Sequence, residues 1–152
     1  VGSSNGNARA NSAVTSGRMR AIHVDLTDPT GKTVWLGGVS GDIWKTTDIT
    51  ASPANWVPAA DIMSNLAITS ITQSPAAPNT FFACTGEAFY NADAVRGNGV
   101  FKSLDYGVTW FQLASTSGSA FQYCTKVICD AAGNVYVSTR SSIYRSLNGG
   151  ND

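Results

Sequence analysis

The chain has 152 residues, with ten basic and ten acidic side chains and no formal net charge. Charged residues make up 13% of it, about half the share of an ordinary globular domain, so no electrostatic case exists for nucleic acid or an anionic membrane surface as partner. No apolar run reaches the roughly 18 residues a spanning helix needs, and Cys84, Cys124 and Cys129 lack metal-ligand spacing, so no membrane span, metal or cofactor is expected.

Residues 1–16 are rich in Gly, Ser, Asn and Ala without periodicity; they read as a flexible lead-in or a segment that pairs elsewhere to close the structure. Alternating, β-branched stretches then follow one another as strands. The first group runs Arg20–Asp25, Thr33–Gly38, Asp42–Thr47 and a short Asn55–Val57, with a turn at Asp28-Pro29-Thr30-Gly31. The second runs Ile68–Thr72, Thr80–Cys84, Gly99–Ser103 and Trp110–Leu113. The third runs Thr125–Cys129, Val135–Ser138 and Ser142–Ser146. The lone His23 falls at an alternating position of a first strand, which suits packing or a core hydrogen bond rather than catalysis. Cys84 and Cys129 fall in strands, where thiols pack as small apolar groups; in an oxidising compartment one disulfide is allowed, with no pair preferred.

One pattern organises the groups. Ser103-Leu104-Asp105-Tyr106-Gly107-Val108-Thr109-Trp110 reads as a tight turn closed by an aromatic. Asp105 can accept backbone N–H bonds, Gly107 supplies positive φ, Ser103 and Thr109 add hydroxyls, and Trp110 can pack on the neighbouring strand. Upstream, Thr46-Thr47-Asp48 leads to Asn55-Trp56; downstream, Ser146-Leu147-Asn148-Gly149-Gly150 repeats the turn with Asn for Asp. The strands entering the turns, Ile43–Thr46, Val100–Ser103 and Ile143–Ser146, share one grammar: aliphatic, aromatic, basic, hydroxyl. A period of about 40 to 60 residues in a strand-rich chain points to propeller blades. The expected fold is all-β, with blades of four antiparallel strands at 17–60, 61–115 and 116–152. The last is incomplete, because the counterpart of Trp110 would follow directly after Asp152. The three blades are about three of a larger ring, and the chain reads as a piece of a longer polypeptide.

The turn resembles the Asp-box of sialidase-like and sortilin-like β-propellers. Gly17–Ile22, Trp35–Lys45 and Gly86–Gly99 in that order resemble the opening blades of large secreted propeller proteins of Bacteroidota, akin to sortilin and xyloglucanase propellers. That resemblance implies a secreted or cell-surface protein, export as type IX secretion cargo, and contact with the secretion machinery. Turn geometry already accounts for Asp48, Trp56, Ser103, Asp105, Gly107, Thr109, Trp110, Ser146 and Asn148 as structural residues, and strand alternation puts these third-to-fourth turns on the face away from the usual propeller binding site.

The opposite face carries the candidates. The loop between second and third strands in the middle unit is about ten residues longer than in the others, and enlarged loops on rigid scaffolds are where binding is placed. It holds Glu87, Phe89, Tyr90, Asn91, Asp93 and Arg96, which suit a glycan, a peptide or a cation; alternatively Arg96 pairs with Glu87 or Asp93 to hold the loop. Glu87 and Asp93 are the catalytic pair if the protein is a glycoside hydrolase. A sialidase is disfavoured, since Arg18-Met19-Arg20 lacks the proline of that family's opening. The expected function is a non-catalytic glycan- or protein-binding module whose partners are further blades and a surface glycan or protein. The alternative is a xyloglucanase- or sialidase-like hydrolase fragment.

Overall fold

The computed structural model describes residues 18–39, 42–60, 67–88 and 94–152. The lead-in 1–16 lies outside them. Strands β1 (Met19–Val24), β2 (Val34–Gly38), β3 (Ile43–Thr46) and β4 (Val57–Ala60) form a first antiparallel sheet in that order. Strands β5 (Ile68–Gln73), β6 (Phe81–Thr85), β7 (Val100–Ser103) and β8 (Phe111–Gln112) form a second. Strands β9 (Cys124–Cys129), β10 (Val135–Thr139) and β11 (Ile143–Ser146) form a third, three-stranded sheet. Among the described residues, helix is confined to single 3₁₀ turns at Ala114–Thr116 and Ser119–Phe121. β4 starts two residues later than the Asn55–Val57 expected from sequence and contains Pro58, which an edge strand tolerates because no donor is needed on its outer side.

The strand grammar has a physical cause in the register. The basic residue of each third strand sits opposite the aromatic of the second: Lys45 faces Trp35, Lys102 faces Phe82, and Arg145 faces Tyr136. Lys45 Nζ lies 4.4 Å from the Trp35 ring centroid and Lys102 Nζ 5.4 Å from that of Phe82, a cation–π stack that lets the stem bury while the charge stays wet. The closing hydroxyl folds into the turn: Ser103 Oγ accepts from Gly107 N at 2.8 Å, and Ser146 Oγ accepts from Gly150 N at 2.8 Å.

In the middle turn, Asp105 Oδ1 accepts from Thr109 N (2.9 Å) and Val108 N (3.1 Å), and Oδ2 accepts from the Thr109 hydroxyl (2.6 Å). Gly107 has φ 75°, and a Cβ there would stand 2.9 Å from the Trp35 ring. Both the backbone and the neighbour therefore require glycine. Trp110 Nε1 donates to Gly107 O at 2.9 Å, which fixes the ring. Asn148 repeats part of this, accepting from Asn151 N at 3.0 Å and from Ser146 Oγ at 2.8 Å. Asp48 differs: it accepts from the amide and hydroxyl of Thr50, two residues on, in a tighter bend. Trp56, after the intervening insertion, is half-buried where Trp110 is buried.

The sheets stand side by side with their first strands adjacent, β5 lying against β1 and β2 on one side and β9 on the other. Two apolar clusters fill the seams. Ala21, Trp35, Ile43, Ile68, Phe81, Phe101 and Trp110 lie between sheets one and two. Phe82, Cys84, Val100, Leu113, Cys124, Val127 and Val137 lie between sheets two and three. The three cysteines are free thiols, and burial pushes each up to about 12, so they behave as small apolar side chains.

Candidate functional site

Antiparallel alternation sorts the connections to two ends. The β1–β2, β5–β6 and β9–β10 turns share one end with the turns carrying Asp48, Asp105 and Asn148. The β2–β3, β6–β7 and β10–β11 loops, with the links between sheets, share the other.

The long β6–β7 loop has a rigid neck at that second end. Gly86 N donates to Ala67 O (2.9 Å) and Gly97 N to Gln122 O (2.8 Å), so the loop base is bonded to both inter-sheet links. A Cβ on Gly86 would lie 2.2 Å from Gln122 O, and one on Gly97 2.3 Å from Thr85 carbonyl carbon. Close backbone approach demands glycine at both positions.

Glu87 follows the neck. Its amide donates to Val95 O at 2.9 Å, and its Oε2 accepts from Val95 N at 3.2 Å. Oε1 receives Arg18 Nη2 at 2.9 Å and lies 3.5 Å from Arg20 Nη2. The carboxylate is 1% exposed, whereas the Arg18 side chain is 60% exposed. The sequence offered Arg96 as a partner for Glu87 or Asp93, and Asp93 lies outside the described residues. Arg96 is exposed, and the partners of Glu87 are Arg18 and Arg20, contributed by the start of β1 nearly seventy residues away. Nothing local in the sequence signals that pairing; it arises because β1 and β5 are neighbours, bringing one sheet's entry beside the next sheet's loop. Phe89, Tyr90, Asn91 and Asp93 lie outside the described residues. Arg140 also stands at this end, its guanidinium 4.6 Å from the Tyr123 ring centroid. Among the described residues, no group of three or more His, Cys, Asp or Glu could hold a metal.

The other end is built for structure. Buried Gln73 joins the first two sheets: its Nε2 donates to Pro78 O (2.6 Å) and Asp25 Oδ1 (3.2 Å), and its Oε1 accepts from Leu26 N (2.7 Å). These partners fix which way the amide points. His23 Nε2, 3.2 Å from the same Oε1, must therefore carry the proton. Burial, opposed by Gln73 and Asp25, lowers the His23 pKa below its ordinary value. Asp105, fully solvated, is held down to about 2, chiefly by the Thr109 hydroxyl, then by the Thr109 amide and Ser103. The geometry gives these groups hydrogen-bonding work within their own turns and seams.

Four solved structures of low sequence identity superpose on the chain. The chain superposes on an ancestral GH74 enzyme with TM-score 0.67 and 23% identity, covering 88% of this chain and 18% of that one. It superposes on YCF48 from Cyanidioschyzon merolae with TM-score 0.63 and 18% identity (91% of this chain, 36% of that), and on YCF48 bound to D1 peptide with 0.63 and 17% (91% and 40%). The extracellular domain of a hybrid two-component system from B. thetaiotaomicron gives 0.58 and 13% (91% and 16%). The sheets are blades of a β-propeller. No protein-family profile matches the chain, and no curated protein matches it in sequence. The chain thus spans well under half of the propeller proteins it resembles. Among the described residues, no helix is long and apolar enough to cross a membrane.

Proposed function

We propose that these blades belong to a secreted or cell-surface binding propeller whose loop end, centred on Arg18, Arg20 and the β6–β7 loop, engages a glycan or protein. On this reading the turns at Asp48, Asp105 and Asn148 are Asp-box corners that hold the blades. The protein is cargo of a type IX-like secretion route, and the missing remainder of the ring is further blades of the same polypeptide.

The observation that carries the reading is the state of Glu87. A glycosidase acid must reach the glycosidic oxygen, and its partner carboxyl must stand across the scissile bond. Glu87 is buried, faces two guanidinium groups and accepts a backbone N–H, so its carboxylate is consumed in tying blade one to blade two. The Arg18 side chain, by contrast, is 60% exposed, and a guanidinium carries five N–H donors, which leaves some for carboxylate, sulfate or hydroxyl groups of a ligand. YCF48, which shares the fold, is seen bound to a peptide.

Arg18→Ala and Glu87→Gln variants, screened against glycan and peptide arrays and assayed for polysaccharide cleavage, test the proposal. The expected result is weaker binding in Arg18→Ala, with no cleavage by any form. Polysaccharide turnover that disappears in folded Glu87→Gln would overturn the binding reading in favour of a hydrolase.

A further inference from the structure

Three thiols lie in or against the seam between blades two and three, and their surroundings sort them into a pair and an outlier. Cys84, near the end of β6, and Cys124, the first residue of β9, are both 0% exposed and share one apolar cluster. One hydroxyl touches both: Thr69 Oγ1 stands 3.3 Å from Cys84 Sγ, 3.1 Å from Cys84 O and 3.0 Å from Cys124 O. From the other side, the Thr85 amide, one residue beyond Cys84, steadies the Cys124 sulfur. Cys129 closes β9 at its far end, five strand positions from Cys124 and so about 16 Å away, whereas bridged Cα atoms stand at most about 7 Å apart. Its charged neighbours, Asp130 and Lys102, belong to the turn end. The length of β9 therefore rules out a link from Cys129 to either of the other two.

We propose that Cys84 and Cys124 are the site of a disulfide that clips blade two to blade three, made while the seam closes. The step is an exchange with a small-molecule or enzyme-borne disulfide. One cysteine loses its proton, attacks that disulfide and releases one thiol; the second sulfur then displaces the other. The Sγ–Sγ bond forms, the chain gives up two electrons, and the oxidant leaves as two thiols carrying the two protons. Bond formation takes Cys124 Sγ off Phe121 O, 3.2 Å away, while the Thr69 hydroxyl keeps both backbone carbonyls within reach. In the shut seam burial pushes both thiols up to about 12, so almost none of either is the reactive thiolate and the pairing is settled before closure. The pairing does not depend on what the loop end binds; in the cell it needs the oxidising surroundings of the export route proposed above.

Refolding the chain from denaturant in glutathione disulfide and glutathione, alkylating the free thiols and mapping peptides without reduction tests this. The expected product has a Cys84–Cys124 bridge and one alkylated thiol, at Cys129. The bridge should form equally in Cys129→Ser, and the bridged chain should melt roughly 5–10 °C above the reduced one. A predominant bridge to Cys129 overturns the proposal, as does a statistical mixture of the three pairings. So do free thiols or glutathione adducts at Cys84 and Cys124, and so does a bridged chain no more stable than the reduced one. Ligand capture at the loop end is read separately by the array experiments, so either idea can fail without the other.

Discussion

Blades two and three are built from one strand grammar but meet different surroundings. Val100 opens the third strand of blade two at 0% exposure, sealed against blade three; Ile143, its counterpart, is 79% exposed. Ile43 of blade one, sealed by blade two, is again at 0%. Phe82 is buried where Tyr136 is half-exposed. The apolar residues are therefore placed for a neighbour, and burial depends on whether that neighbour is present. A blade is half an interface, and its stability belongs to the seam rather than to the sheet.

The sharpest test of that comparison is Trp110→Ala. It removes a buried indole and its bond to Gly107 O, and should cost about 3–5 kcal/mol in denaturant unfolding; a loss below about 1 kcal/mol would mean that the seam does not hold the blades. Gly107→Ala comes next, at about 2 kcal/mol, because strain at φ 75° adds to the collision with Trp35. Gly31→Ala, also at positive φ but with nothing within 4 Å, should lose less, which isolates the packing part. The paired substitutions Val100→Ala and Ile143→Ala then set the blades against each other directly. The first should cost about 1.5 kcal/mol and the second under about 0.5 kcal/mol. Equal losses would show that Ile143 is covered in solution.

The smallest effect separates the two turns by pH. The folded-state pKa of Asp105 is depressed, so its contribution is present above the ordinary carboxylate range and fades as pH falls through it toward about 2. Asn148 carries no charge and makes no such contribution. Urea midpoints measured between pH 5 and pH 2 should fall less steeply for Asp105→Asn than for the parent chain; an unchanged slope would mean that other carboxylates govern the acid response.

Much of the fold was legible because the repeat declares itself. Hydroxyl, Asp, Gly and Trp at fixed offsets specify the turn around Asp105, whereas the stacking of Lys45 on Trp35 and Lys102 on Phe82 follows from strand register, which the third-strand pattern does not carry. The correspondence was weaker at Asp48, where the residues of the insertion let the carboxylate bond to nearby Thr50. It failed at the loop end. Glu87 was one of two loop carboxylates offered as a partner for Arg96, yet its own partners come from the start of β1. Contacts between neighbouring blades join residues far apart in sequence, and local pattern carries no information about them. Gln73 was invisible for the same reason: an unremarkable strand-end glutamine becomes the rivet between two blades only when both are in place.

That rivet has a spectroscopic consequence. An amide that cannot turn over holds the imidazole of His23 in one tautomer, so nitrogen chemical shifts should show a pyrrole-like Nε2 and a pyridine-like Nδ1 at neutral pH. A chain whose first two sheets come apart would display the averaged signals of a freely exchanging ring. With a single histidine in the sequence, the molecule carries its own built-in gauge of whether those sheets are docked.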